Sequence, residues 1–132
     1  MNPTAIEYLE DLGILKEKIA GLNVRIDAIV ALKRSGWIAG AYISNQLTIP
    51  VFTVSEIKSM PKEFTHIIVV DDKAWSGKSM QKVLNKLRRM ERSYITAVLY
   101  LESGYRIRPM LWVREIPRQG CRMWYERKDS IT

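Results

Sequence analysis

The chain has 132 residues, 47% hydrophobic and 27% charged, values of an ordinary globular domain that exclude a disordered one. One cysteine, Cys121, excludes an internal disulfide, and with a single histidine, His66, it cannot build a zinc site of the usual kind. The 21 basic and 14 acidic residues give a net charge of +7, which favours an anionic partner, either a polyphosphate small molecule or a nucleic acid.

Asn2 and Pro3 read as an N-cap and a first-turn proline. Ile6, Leu9, Leu12, Leu15 and Ile19 follow at helical spacing, and the helix is expected to end near Gly21. Residues 27–32, "DAIVAL", form a short apolar run that fits a strand buried on both faces. "KRSG" interrupts it, and a helical pattern returns over residues 37–47 with Ile38, Ala41 and Ile43. Residues 49–54, "IPVFTV", resume strand character, and a short polar connection with Pro61 runs to residue 65.

"HIIVVDD", residues 66–72, is the next strand, and residues 79–92 the next helix. Met80, Val83, Leu84, Leu87 and Met90 are its core face, with Lys78, Lys82, Lys86 and Arg89 as a basic stripe. Residues 94–101, "YITAVLYL", make a further strand, and "MLWVREI", residues 110–116, one more. Strands alternating with helices predict an α/β fold with a mostly parallel, twisted sheet covered on both faces. One domain over residues 1–132 is expected, burying roughly two-thirds of its extended-chain surface. No signal peptide or membrane-length apolar run is read, so a reducing cytoplasm is the expected compartment, with no membrane partner.

The chemistry concentrates in "IIVVDDKAWSGKS". In parallel sheets ligands gather at the carboxyl ends of the strands, where Asp71 and Asp72 are expected. The turn after them leads into a helix N-terminus, whose open N–H groups and dipole favour a phosphate. Gly77 lets the backbone curl close, and Ser76 and Ser79 add hydroxyl donors. Carboxylates beside such a cradle need donors of their own, and vicinal sugar hydroxyls supply two; a sugar phosphate is the logical ligand. A Walker A loop would need a glycine where Asp72 stands, and a receiver-domain acid pair would follow an earlier strand. A solvated, acid-capped helix start competes with all of these.

The same stretch resembles the phosphoribosyl-diphosphate signature of type I phosphoribosyltransferases. "RIDAIVALKRSGWIAGAYISNQLTIPV" is similar to that family's first strand, diphosphate loop and following helix, with Arg34-Ser35-Gly36 where the xanthine-guanine enzymes carry an arginine and two glycines. "WVREIPRQGCRMWYE" is similar to their C-terminal tail. The resemblance implies transfer of phosphoribosyl to a purine or related base with release of diphosphate. Asp71 and Asp72 would hold the ribose hydroxyls as the catalytic pair. Ala74, Trp75, Ser76, Gly77, Lys78 and Ser79 would cradle the 5′-phosphate, and Lys33, Arg34, Ser35 and Gly36 the diphosphate. Glu102 and Trp124 would meet the base. Mg²⁺ would be held mainly through substrate and water, with Asp71 or Asp72 contributing. A core over about residues 24–102, a reduced hood over about 103–128 and a homodimer or higher oligomer are also implied.

Four departures from the family pattern stand out. Trp75 occupies the place of an aspartate proposed as a base toward the purine, and tryptophan takes no proton. Ser35 replaces a glycine in a loop of unusual backbone geometry. Residues 54–65 are much shorter than the usual mobile lid, which favours a non-catalytic sensor of sugar diphosphate or nucleotide on the same fold. Glu102 stands where a lysine reads an exocyclic oxygen, and an acceptor there suits an amine or N–H. The basic stripe leaves an RNA-binding regulator as a third reading. Trp112 and Tyr125 are further aromatics that could stack on a base, although aromatics after a domain's last strand more often close its core or a dimer interface; His66 and Cys121 receive no catalytic role.

Overall fold

Five strands form one parallel sheet in the computed structural model, which describes residues 3–74, 77–106 and 108–117, with Lys33 described by its backbone alone. Helix α1 (Ala5–Ala20) leads into strand β1 (Ala28–Ala31), helix α2 (Lys33–Leu47) and strand β2 (Val51–Thr53). A 3-10 helix (Val54–Ser59) precedes strand β3 (His66–Ala74), helix α3 (Lys78–Arg89), strand β4 (Ser93–Glu102) and strand β5 (Arg114–Ile116). The order across the sheet is β2-β1-β3-β4-β5, and every pairing among the described residues is parallel. Parallel strands need crossovers, and their helices cover both faces, so the strands read as apolar runs rather than alternations.

Ile29, Ile68, Val70 and Leu99 pack against Tyr8, Leu12, Leu15 and Ile19 of α1 and Ala39 and Ile43 of α2. Val30, Val69 and Val98 pack against Ile57 of the 3-10 helix and Met80, Val83, Leu84 and Leu87 of α3. The core face expected for α3 is therefore the observed one, with Met90 partly buried at its edge.

Other expectations are corrected. The cap of α1 is Thr4, which forms a capping box with Glu7, and not the Asn2–Pro3 pair. Ile6 and Leu9 are exposed, while Tyr8 and Asp11 are fully buried. The polar Asp11 is buried because its carboxylate accepts hydrogen bonds from Tyr100 and Arg114 on β4 and β5. Burial, and then the bond to Asp11, push the Tyr100 phenol far above its ordinary range, so it remains a donor. On α2, Ala39 and Ile43 face the core, whereas Ile38 is 37% exposed.

The connection before β3 is not merely polar. Thr53 and Glu56 form a second capping box, and Ile57 and Met60 are buried. Arg92, just after α3, donates to the carbonyls of Met60, Pro61 and Phe64 at 3.3, 3.0 and 2.9 Å. Those carbonyls belong to no strand, and one buried guanidinium satisfies all three. The connection is fastened to the core.

Candidate functional site

β1 continues into α2 on one face of the sheet, and β3 continues into α3 on the other. With the order β2-β1-β3-β4-β5, connections diverge between β1 and β3, which makes the carboxyl ends of these two strands the topological switch point where such folds form a binding crevice. β1 ends at Ala31, which pairs with Val70. β3 runs on for four residues, so Asp71 and Asp72 begin where their neighbour stops.

Both acids are nearly buried, with 5% and 3% of their surface exposed. The Asp72 N–H donates to Asp71 Oδ1 and the Lys73 N–H to Asp72 Oδ1, each at 2.8 Å. Each carboxylate is thus turned back onto the peptide that follows it, and its direction is fixed. Strand alternation also slips here. Ile67 and Val69 face α3 and Ile68 and Val70 face α1 and α2, yet Ala74 joins the α3 side.

The segment Lys33, Arg34, Ser35 and Gly36 is the first turn of α2 and not a loop. Ser35 therefore sits in helical backbone and needs no glycine-like geometry. Gly36 is what the turn requires: a Cβ there would meet the Val70 carbonyl at 3.0 Å, Asp71 Oδ1 at 3.1 Å and Asp71 Cα at 3.2 Å. The missing side chain lets the helix start lie directly against the acid pair. No side chain caps this end, its N-cap is Leu32, and its first turn holds Lys33 and Arg34 with no acid.

α3 starts in the same manner. Gly77 is its N-cap in the left-handed region, at φ 71° and ψ 9°, without a side-chain cap, and no acid lies in the first turn. A positive φ is inexpensive for glycine and strained for a branched residue. Ala74, Lys78 and Ser79 flank this start, one strand from the α2 start. Cations in the first turn oppose the helix dipole unless an anion sits between them and the exposed N–H groups. Two such starts beside one acid pair bring uncapped helix ends, cations and two carboxylates to one edge of the sheet.

Glu102 ends β4, half-buried, one step beyond the Ala74–Leu101 pairing and opposite Ile116 of β5. It lies at the same sheet edge as the acids, as parallel strands dictate. Trp112 instead packs against the α3-side core, with the Arg108 guanidinium 4.4 Å from its ring centre. His66 lies at the opposite, amino edge. Trp75, Ser76, Cys121, Trp124 and Tyr125 lie outside the described residues, as do the Lys33 side chain and most of the tail expected as a hood.

A cleft of about 490 Å³ adjoins the crevice between β1 and β2, lined by Arg34, Trp37, Thr53, Val54 and Ser55. Sequence reading missed this flank; the apolar residues Val54, Ile57 and Met60, spaced by three beside Thr53 and Glu56, were its signal. Among the described residues no three His, Cys, Asp or Glu side chains gather as a metal cage. Two adjacent carboxylates fit a magnesium ion completed by ligand oxygens and water.

No protein-family model matches the sequence, and no curated protein matches it. Solved structures do match. The xanthine-guanine-hypoxanthine phosphoribosyltransferase of Helicobacter pylori superposes with a TM-score of 0.84 at 18% identity, over 98% of this chain and 95% of that one. A hypothetical protein from Neisseria gonorrhoeae with bound ppGpp gives 0.77 at 18%, over 98% and 92%. The orotate phosphoribosyltransferase of Aeropyrum pernix gives 0.69 at 23%, over 85% and 72%.

Proposed function

We propose that this chain, which has the fold of the type I phosphoribosyltransferases with purine enzymes among its structural neighbours, binds 5-phosphoribosyl diphosphate and transfers the phosphoribosyl group to a purine-like base. The observation that carries this reading is the acid pair set between two uncapped, basic helix starts at the switch point of the sheet.

In the proposed reaction the bond from the anomeric carbon to the diphosphate oxygen breaks. A base nitrogen then bonds to that carbon, and the proton lost from the base leaves to solvent. Positive charge grows on the sugar while the leaving group departs as a polyanion. Asp71 and Asp72 take the ribose hydroxyls, and their fixed carboxylates favour the cationic sugar. The start of α3 takes the 5′-phosphate, and Arg34 with the backbone at the start of α2 takes the diphosphate. Magnesium held by the diphosphate, water and one of the acids would supply charge neutralisation on the leaving group. Glu102, an acceptor, favours a base with an amine or N–H at the position it faces, and its change to lysine is expected to raise use of hypoxanthine or xanthine.

The fastened connection favours a second reading, a non-catalytic sensor of a sugar diphosphate or nucleotide. A lid that closes over the reaction excludes water, whereas residues 54–59 form a 3-10 helix closed by the Thr53–Glu56 capping box with Ile57 buried, and Arg92 holds residues 60–64 toward the amino edge. The ppGpp carried by the Neisseria gonorrhoeae protein gives that reading a ligand to try. Calorimetric titration with phosphoribosyl diphosphate and Mg²⁺, for wild type and Asp71→Asn with Asp72→Asn, tests the site. Unchanged affinity in a folded double variant removes it. Diphosphate release with adenine, guanine, hypoxanthine and xanthine then separates transferase from sensor.

A further inference from the structure

The excess positive charge is not spread evenly. α3 carries five cations and no acid in its 12 residues, whereas α1 carries Glu7, Glu10, Asp11 and Glu17 against Lys16 and Lys18. Met80, Val83, Leu84 and Leu87 fix the buried side of α3. Lys78, Lys82, Lys86 and Arg89, spaced by four, four and three, therefore share the outward side over about 16 Å of helix axis. Lys82 and Arg89 are exposed, Lys86 is half-exposed, and none of these three lies in an ion pair among the described residues. Arg88, in contrast, is committed to Tyr94 and Asn85. Gln81 and Asn85 lie on the flank of the row and bond one another at 2.9 Å.

We propose that this face of α3 binds the sugar-phosphate backbone of double-stranded RNA. Lys82, Lys86 and Arg89, outside any ion pair among the described residues and with no acid on their helix, are complementary to a polyanion. No aromatic lies among them, so stacking on single-stranded bases has no platform. α3 is half embedded in its layer, which leaves a low-relief surface that cannot enter a major groove as a free-standing recognition helix does. A shallow A-form minor groove, displaying 2′-hydroxyls between phosphate rows, suits cations flanked by amides. Lys78 flanks the crevice, so the binding tested is that of Lys82, Lys86 and Arg89, which lie away from it along the helix.

The test is fluorescence anisotropy with a labelled 20-base-pair RNA duplex at 50 to 300 mM salt. Wild type is expected to show a slope of log K against log salt of about −3, roughly one unit for each phosphate neutralised by Lys82, Lys86 and Arg89. Lys82→Gln, Lys86→Gln and Arg89→Gln together should flatten the slope by about 3 and weaken binding roughly 50-fold or more near 0.1 M salt. These changes sit on the solvent side, and circular dichroism verifies that the helix persists. Lys16→Gln on α1 should change nothing. The proposal is overturned if the triple variant keeps the wild-type slope, or if wild type fails to bind. Equal or tighter binding to the matching DNA duplex, or to phosphatidylserine vesicles, overturns it as well.

Discussion

α1 and α3 open in opposite ways. The N-terminus of α1 closes on itself: the Thr4 hydroxyl accepts from the Glu7 N–H at 3.1 Å, and the Glu7 carboxylate accepts from the Thr4 N–H at 2.9 Å. α3 starts from a left-handed glycine with no side-chain cap and no acid in its first turn, and α2 starts equally bare. A helix end that serves structure supplies its own acceptors. One that serves a ligand leaves its N–H groups for an outside anion and forgoes the roughly 1 kcal/mol of a good cap. Under the proposed function, the contrast separates scaffold from site within one chain.

The strongest way to break the contrast is Gly77→Val. A branched side chain in the left-handed region, where a phosphate must approach backbone, is expected to weaken phosphoribosyl diphosphate by about 100-fold or more, since several charge-assisted bonds go together. Gly77→Asn, which tolerates that backbone, should lose less. Isothermal titration of both variants checks this, and wild-type affinity in the valine variant would show that the turn is no cradle.

Gly36→Ala comes next. Its Cβ would press on the Val70 carbonyl and Asp71 at 3.0 to 3.2 Å, so the start of α2 must retreat from the acids. Crowding of about 1–3 kcal/mol outweighs the roughly 1 kcal/mol that alanine gains over glycine in a helix. A lower melting temperature and about tenfold weaker ligand are expected together. A variant that melts higher and binds normally would mean that the close approach has no function.

Thr4→Ala should do the reverse of Gly77→Val: about 1 kcal/mol of stability is lost by denaturant titration while ligand affinity stays the same. Any loss of affinity would blur the division between capped and bare ends.

The smallest effect is in pH. The hydrogen bond from the Thr4 backbone, then that with its hydroxyl, holds the Glu7 carboxyl below the usual carboxylate range. A depressed acid stabilises the fold above its unfolded pKa and loses that contribution as pH falls through the folded value. Amide-exchange protection in the first turn of α1 should therefore decline below about pH 4. Glu7→Gln, which keeps an acceptor, should make that protection independent of pH.

Most of the sheet was legible because β3 and β4 are buried on both faces and therefore read as continuous apolar runs. The core side of α3 was legible because four of its apolar residues recur at helical spacing beside an unbroken polar side. The α2 start was not, since Lys-Arg-Ser-Gly has the chemistry of a loop, and the close fit of Gly36 against Asp71 depends on a strand 35 residues away. Nor was the burial of Asp11, whose partners Tyr100 and Arg114 lie 89 and 103 residues away. Local pattern carries no information about such pairs. The acid pair itself was visible from its place at the end of an apolar run, whereas its neighbour across the crevice depended on strand order.

The fixed connection before β3 has a kinetic corollary. Its end nearest the crevice is closed by the Thr53–Glu56 capping box and the buried Ile57, while Arg92 holds its far end at the amino edge; under the proposed function, ligand entry on this side does not wait for loop motion. Encounter is then set by diffusion and by the field of the basic helix starts, which raises capture of anions and fades with salt. Differences in affinity among ligands should appear chiefly in their departure rates. If the proposed function holds, such a pocket follows a changing ligand concentration promptly, whether it goes on to react or only to report.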